Sequence, residues 1–437
     1  MTNKVLVVGS GGREHALAYS FVQDNNVDEV LIAKGNSGTA IDEKCRNINI
    51  DGTSKKNFGE LIDLVEEEDV KMVVVGPEQP LVDGIVDFFQ ERGYNNIFGP
   101  TSAASQIEAD KFYSYIIMKE IGIPQAESIF CHTIEEAKDA IKKIATDEGV
   151  VIKARGLTAG KGVYVCDSKD EALSKIEKHT EEYGLDILIT ERLFGQEFSV
   201  FGISDGERVV PLEMSVQDHK PLLDGDKGSN TGGMGAYCPV PIADAEMVKY
   251  VAKNMMTPVI QLMKKQGKEY RGFLYAAVIM TQEGPEILEY NCRFGDPEAQ
   301  PSVMMLKNGL YKPISAALDG KLNEINIEFK TGAACCVIMA SNGYPGSYEK
   351  GFLIGGLEKV ANEFSNVKVF HSGTGTKDGK IVTNGGRVLG VTAYSEESVS
   401  KARYDAYNAV SLINKATTEL NEKIIFIYRG DIANKAI

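Results

Sequence analysis

Two stretches of this sequence hold residues whose types and spacing could do chemistry. The first is VVIKARGLTAGKGVYV, residues 150–165. One β-branched run ends at Lys153 and a second begins at Val163, with Gly156, Gly160, Lys161 and Gly162 between them. Strand, glycine-rich loop, strand describes a hairpin whose tip can fold over a phosphate, because glycine lets backbone N–H groups approach anionic oxygens. Lys153 and Lys161 would supply the charge. The competing reading is an ordinary hairpin with solvated lysines. A P-loop is excluded by spacing: only Leu157, Thr158 and Ala159 separate Gly156 from Gly160, and Gly162 follows the lysine. The second stretch is EILEYNCR, residues 286–293. A strand's period of two places Glu289, Asn291 and Arg293 on one face and Tyr290, Cys292 and Phe294 on the other. Cys292 is therefore expected to be a core thiol. Glu and Asn oxygens are hard ligands suited to Mg²⁺, and a guanidinium suits planar recognition of a carboxylate or phosphoryl group. The competing reading is a buried Glu–Arg pair. Asp296 and Glu298 add carboxylates just beyond the strand.

The elements that must position these residues alternate in type. Residues 4–100 read as β-α-β units, hence a doubly wound parallel sheet whose ligands sit beyond the carboxyl ends of its strands. Two turns fall there: Gly9-Ser10-Gly11-Gly12-Arg13-Glu14-His15 and Gly76-Pro77-Glu78-Gln79-Pro80. The first lacks the third glycine of a dinucleotide fingerprint, because Glu14 occupies that place, so a nicotinamide-binding protein is a weak alternative. Successive N–H groups at a helix start still suit a phosphate monoester. Glu78 could meet sugar hydroxyls or cap a helix over 81–92. A helical linker over 101–122 contains Asp110-Lys111-Phe112. Helix 134–146, the flap hairpin, helix 171–183 and strand 187–190 form a small α+β lid. The following Glu191-Arg192-Leu193 and Glu197 form a hinge whose backbone could read an adenine edge. Polar, glycine-rich loops at 217–220 and 230–237, a helix over 247–266, and a last α/β unit over 331–437 complete the chain. The expected domains are 1–102, 103–328 with the lid at about 123–190, and 329–437.

Composition narrows the class. A chain of 437 residues suggests about three domains, and 43% apolar with 25% charged residues is globular. A formal charge of −15 argues against nucleic-acid and membrane-surface partners, so positive charge for any phosphate must be gathered locally. Seven cysteines show no metal-ligand spacing, and Cys335 and Cys336 lie inside an apolar run. No signal peptide or membrane span is evident. These features predict a cytoplasmic protein with reduced thiols.

The flap lysines, the hinge and the Glu-x-Asn-x-Arg strand together resemble the ATP-grasp ligases. The strings GSGGREHA (9–16), GPEQPLVDG (76–84), GLTAGKGV (156–163), QDHK (217–220), NTGGMGAY (230–237), NCRFGDPE (291–298) and TNGGRVLGV (383–391) resemble the phosphoribosylamine–glycine ligase family in particular. The resemblance spans nearly the whole chain, in order. It implies an α/β protein with an N-terminal Rossmann-like domain, a central ATP-grasp fold of two α+β subdomains and a C-terminal α/β domain. It implies ATP-dependent ligation of glycine to 5-phosphoribosylamine through glycyl phosphate, in purine biosynthesis, with Mg²⁺ (or Mn²⁺) as cofactor. Another ATP-grasp carboxylate–amine ligase or a carboxylase is the alternative. Partners would be these small molecules, and the protein a monomer, with a dimer as the alternative. By position, Lys111 and Lys153 would hold ATP phosphates under the 156–162 flap (Gly156, Gly160, Lys161, Gly162). Glu191 and the backbone of Arg192 and Leu193 would receive adenine, and Glu197 the ribose. Glu289 and Asn291 would ligate the metal. Arg293, Lys153 and Asp296 would act in catalysis, with Asp218 and Asp296 near the glycine amine. Ser10, Gly11, Gly12, Arg13, Glu14, Gly76, Pro77 and Glu78 would bind phosphoribosylamine, and Lys220 would close the junction. Two residues depart from the family's usual pattern: Arg155 replaces Asp, and Thr190 replaces Glu. Arg155 is expected to touch phosphate or face solvent, and Thr190 to keep the hinge backbone without a side-chain contact to adenine.

Overall fold

The computed structural model describes residues 3–158 and 161–437; Gly160 of the flap lies outside the described residues. Val5 to Val8 are fully buried, as are Leu31 to Ala33. Continuous apolar runs of this kind belong to strands covered on both faces, and they form a five-stranded parallel sheet. Its order is Cys45–Ile48, Glu29–Lys34, Lys4–Gly9, Val70–Val75, Ile97–Phe98. The strand order reverses beside Lys4–Gly9, and there the carboxyl ends of Lys4–Gly9 and Val70–Val75 lie together. The Gly76 N–H donates to the Val8 carbonyl at 3.1 Å, so the two turns singled out above become neighbours at the switch point.

The second sheet has nine strands and is the frame of the molecule. Gly284–Asn291 is its edge, followed by Arg271–Thr281, Gln196–Asp205, Val209–Asp218, Gly235–Cys238, Ala333–Ser341, Arg387–Ser395 and Val367–His371, with Phe426–Ile427 paired to Ala333–Ser341. The strands after residue 330 thus extend the central sheet through Gly235–Cys238, a continuity that local pattern did not reveal. Tyr290, Cys292 and Phe294 are each 1% exposed, as the alternation required, and Cys292 is a core thiol.

The lid is a separate four-stranded antiparallel sheet, in the order Ser128–Cys131, Ile187–Glu191, Val150–Ala154, Val163–Cys166. Helices Ile134–Ile144 and Lys169–Tyr183 cover one face, capped by the Thr133 and Ser168 hydroxyls. Ile141, Val150, Ile152, Ile176 and Ile189 fill its own small core, each such burial contributing about 2 kcal/mol. The lid can therefore keep its shape apart from the main body.

Several predicted helices are broken. The one expected over 81–92 is Glu78–Val82 and Ile85–Gln90, interrupted where Gly84 takes a left-handed φ of +85°. The linker 101–122 is two helices, Ser102–Ala109 and Lys111–Glu120, separated by Asp110 in an extended conformation. The helix over 247–266 is Ala245–Val251 and Thr257–Lys265, joined by a π-helical turn. Among the described residues no helix is long and apolar enough to cross a membrane.

Candidate active site

The flap and the acidic strand face one cleft. Lys153, on Val150–Ala154, directs its Nζ to the Leu288 carbonyl at 3.5 Å, one residue from Glu289. Lys111, the first residue of its helix, donates from Nζ to the Gly156 carbonyl at 3.0 Å, at the root of the flap. Lys220 enters from the end of Val209–Asp218, its Nζ 3.5 Å from Glu197 Oε2. Burial works against a charge on Glu289, but the fields of Lys220, Lys111 and Lys153 outweigh it and hold the carboxylate below its usual range. Burial likewise draws Lys153 below the ordinary ammonium range, against the pull of Glu289. Three lysines gathered around two carboxylates, Glu289 and Glu197, leave a local excess of positive charge in an acidic protein, which suits an anionic ligand. At the flap, Thr158 Oγ1 accepts from Gly162 N–H at 3.0 Å, and Lys161 is exposed.

Arg293 carries the site from the acidic strand to the parallel sheet. Its Nη2 donates to Asn291 Oδ1 at 3.1 Å and its Nε to Glu78 Oε2 at 3.1 Å. Glu78 also lies 3.6 Å from Arg13 Nη1, and Arg13 Nε donates to Glu14 Oε1 at 2.6 Å. Burial opposes ionisation of Glu78, yet Arg293 and Arg13 pull it down to about 2. Glu14 is buried, with Oε2 accepting the Gly11 N–H at 2.7 Å. The Gly11 amide is therefore not available to a phosphate, and Glu14 shapes the wall between the two turns. Gly9 and Gly76 make room for it: a Cβ on Gly76 would lie 2.2 Å from Glu14 Oε1, and one on Gly9 2.5 Å from Glu14 Cγ. The residue that breaks the dinucleotide fingerprint thus explains two of the surrounding glycines. Pro77 occupies the extended position just before the short helix that begins at Glu78, and the Ser10 carbonyl accepts from Asn36 Nδ2 at 2.9 Å.

On the other side of Lys220, Asp218 is packed beneath the 230–237 loop. Its Oδ1 is buried without a hydrogen-bond partner among the described residues, and burial beside Glu298 pushes its carboxyl well above the usual range. An orphaned buried acceptor is costly unless a ligand donor meets it. Asp296 is differently placed. Its Oδ2 accepts from Arg387 Nη2 at 2.9 Å and its Oδ1 from Gln300 Nε2 at 2.8 Å. Both oxygens already have protein donors, so of the two candidates for the glycine amine Asp218 has the better geometry.

At the hinge, Glu191 N–H donates to the Glu127 carbonyl at 2.8 Å, and the Arg192 side chain turns back into the lid, reaching Asp167 at 2.6 Å and the Glu148 carbonyl at 3.0 Å. The backbone groups of Arg192 and Leu193 pair with no other described backbone group. Gly195 lies so close to the central sheet that a Cβ there would meet the Met280 carbonyl at 1.9 Å. Thr190 is buried in the lid sheet, its hydroxyl 3.0 Å from Ser128 Oγ. Arg155 stays partly exposed, its side chain 41% accessible, and its guanidinium is engaged by two carboxylates, Asp110 and Asp186.

Comparison with known proteins agrees in every part of the chain. Three family models match: phosphoribosylglycinamide synthetase N domain at residues 3–108, its ATP-grasp (A) domain at 109–299 and its C domain at 334–435. The chain belongs to the phosphoribosylglycinamide synthetase family. A phosphoribosylamine–glycine ligase of Rhodopirellula baltica is 45% identical over 416 residues, covering 93% of each chain. The crystal structure of the phosphoribosylamine–glycine ligase of Thermotoga maritima superposes with a TM-score of 0.80 at 33% identity, covering 98% of this chain and 100% of that one. The biotin carboxylase domain of 2-oxoglutarate carboxylase from Hydrogenobacter thermophilus, solved with MgADP, ADP and bicarbonate, has a TM-score of 0.68 at 17% identity and covers 100% of this chain and 98% of that one; it shows the shared fold.

Within this synthetase fold, sequence reasoning missed two residues. Glu108, in the last turn of the helix Ser102–Ala109, accepts the Cys292 N–H at 2.7 Å and lies 3.3 Å from Arg293 Nη2. Burial raises its pKa, against the pull of Arg293. Arg387, from the strand Arg387–Ser395, bonds both the Asp296 side chain and the Gly232 carbonyl. Arg387 stood in one of the matched strings, but only its position across the sheet reveals its partners.

Proposed function

We propose that this protein ligates glycine to 5-phosphoribosylamine, giving glycinamide ribonucleotide while ATP becomes ADP and phosphate, the second step of de novo purine synthesis. The observation that carries the reading is the convergence of Lys153, Lys111 and Lys220 on Glu289, with Arg293 leading from that cluster to the turns at Gly9 and Gly76. A carboxylate is a poor acyl donor, so a glycine oxygen first takes the γ-phosphoryl group to form glycyl phosphate. The amine of phosphoribosylamine then attacks the acyl carbon and phosphate leaves. Such chemistry asks the protein chiefly for alignment and neutralised charge. Lys111 and Lys153 hold the nucleotide phosphates, and the flap excludes water. The free backbone of Arg192 and Leu193 takes the adenine edge, and Glu197 the ribose. Arg293 steadies the transferred group, Asp218 receives the glycine ammonium, and Arg13 with Glu78 and Gly76 lines the phosphoribosylamine pocket.

The donor set suits Mg²⁺. Glu289 stays ionised despite its burial, and Asn291 Oδ1, which accepts from Arg293, has a second lone pair to offer a metal. Among the described residues no trio of His, Cys, Asp or Glu is arranged to hold a metal alone, and Mg²⁺ usually combines one or two protein oxygens with substrate phosphates. Bound there, it would neutralise phosphate charge. The cysteines are free and, except Cys45, buried, which suits a reducing cytoplasm. The test is ADP release by the purified protein with ATP, Mg²⁺, glycine and phosphoribosylamine. Release should require all four, and bicarbonate or a larger amino acid should not replace glycine. ADP release without phosphoribosylamine or with bicarbonate in place of glycine, or none with all four present, contradicts the reading.

A further inference from the structure

Between the linker and the lid lies an ion cluster that the mechanism above does not use. Arg155 directly follows the strand that carries Lys153 and precedes the flap. Its Nε and Nη2 donate to the two oxygens of Asp110 at 2.9 and 2.7 Å, a bidentate pair, and its Nη1 donates to Asp186 Oδ2 at 3.2 Å. Asp110 is the N-cap of the helix that begins at Lys111, and its Oδ1 also accepts from the Phe112 and Tyr113 amides at 3.0 and 3.3 Å. The backbone repeats the link: Lys111 N–H donates to the Arg155 carbonyl and Arg155 N–H to the Asp186 carbonyl, each at 3.0 Å. The guanidinium also covers the Phe112 ring at 4.8 Å, and Phe112 stacks on Phe130 of the lid at 4.2 Å. The first turn of this helix is thus fastened to the flap root by the Arg155 side chain together with one backbone hydrogen bond.

From this geometry we infer that Arg155 is a positioning residue for nucleotide binding: it locks the Asp110 cap and so holds the Lys111 ammonium at the flap root, where the phosphates pass. The inference depends on the assignment of Lys111 to those phosphates. A bidentate guanidinium–carboxylate pair orients both partners more firmly than a lysine could. Without it, Lys111 keeps its charge but samples more positions. The Nε, Nη1 and Nη2 atoms of Arg155 each donate to a carboxylate, so its effect should pass through Lys111.

Titration with ATP and with ADP, in Arg155→Met, Lys111→Met and the double variant, tests this. Lys111→Met should weaken nucleotide binding, and Arg155→Met should weaken it about fivefold with kcat at saturating ATP nearly unchanged. In the Lys111→Met background the Arg155 substitution should have no further effect. Asp186→Asn, which weakens the other end of the cluster and the His132–Asp186 pair within the lid, should change affinity by less than about twofold. Arg155→Gln serves as the folding-safe replacement if Arg155→Met is poorly soluble, with the same expectation. Equal weakening by Arg155→Met in both backgrounds, or none in either, overturns the positioning role. An unchanged affinity in Lys111→Met alone overturns instead the phosphate assignment of Lys111, and with it this inference.

Discussion

Arg293→Met should separate the structural and chemical duties of the central guanidinium. In the native protein this group lies 3.1 Å from Glu78 and 3.3 Å from Glu108. The Glu108 side chain is only 8% exposed, so removing the cation leaves a carboxylate buried without its partner. Breaking a buried pair costs about 3–5 kcal/mol. The lower end, about 3 kcal/mol, applies here, because Glu78 retains Arg13 and Glu108 retains the Cys292 amide. Thermal denaturation should then begin several degrees lower. The loss depends on pH in a defined direction. Burial already holds the folded pKa of Glu108 above its unfolded value, and losing Arg293 raises it further, so the folded state holds the proton longer. The destabilisation is therefore smallest below the unfolded pKa and grows as pH rises through the folded one. Adding Glu108→Gln should recover about 2 kcal/mol at neutral pH, while kcat stays depressed by orders of magnitude. Melting curves and ADP release, measured on the wild type and the two variants, provide the assay. Recovery of kcat together with stability would refute the catalytic assignment of Arg293; failure to recover stability would refute the pairing argument.

Three further outcomes follow from the same geometry. Glu289→Gln should leave the fold intact by circular dichroism yet lower kcat by orders of magnitude and weaken Mg²⁺ binding, so that more Mg²⁺ is needed for half-maximal activity; a small effect would mean that this carboxylate serves only as a counterion for the lysines. Arg13→Ala should raise KM for phosphoribosylamine about tenfold and leave ATP affinity nearly unchanged; equal weakening of both would remove the first turn from the substrate site. Glu78, depressed to about 2 from an ordinary 4.5, contributes stability that is full above 4.5 and lost as pH falls toward 2. Glu78→Gln should therefore flatten the acid limb of the stability profile in that window, as followed by chemical denaturation at stepped pH, and an unchanged limb would contradict the pairing.

What could be read from the chain alone was whatever depends on near neighbours. Alternation in residues 286–294 correctly separated Glu289, Asn291 and Arg293 from Tyr290, Cys292 and Phe294, because a strand's period of two needs no tertiary information. The two βα turns were legible as a switch-point site, since a parallel sheet brings its carboxyl ends together. Hidden were the partners that approach from far along the sequence. Glu108 meets Cys292 from 184 residues away, and Arg387 meets Asp296 from 91. Nothing local in Glu14 announces that it will be buried against Gly9 and Gly76, nor in Arg155 that Asp110 and Asp186 will enclose it. The helix breaks at Gly84 and Asp110 went unread because apolar periodicity continues across them, and only φ or capping geometry marks the interruption.

The central claim is that the glycine hairpin and the acidic strand share one magnesium triphosphate. A crystal structure of the protein with a non-hydrolysable ATP analogue, Mg²⁺ and glycine tests it most directly. Phosphate density should lie between Lys111 and Lys153 on one side and Glu289 on the other, with a metal ion touching Glu289 and the glycine carboxylate facing Arg293. Phosphates seated elsewhere, with Lys153 and Glu289 bonded only to protein, would contradict it.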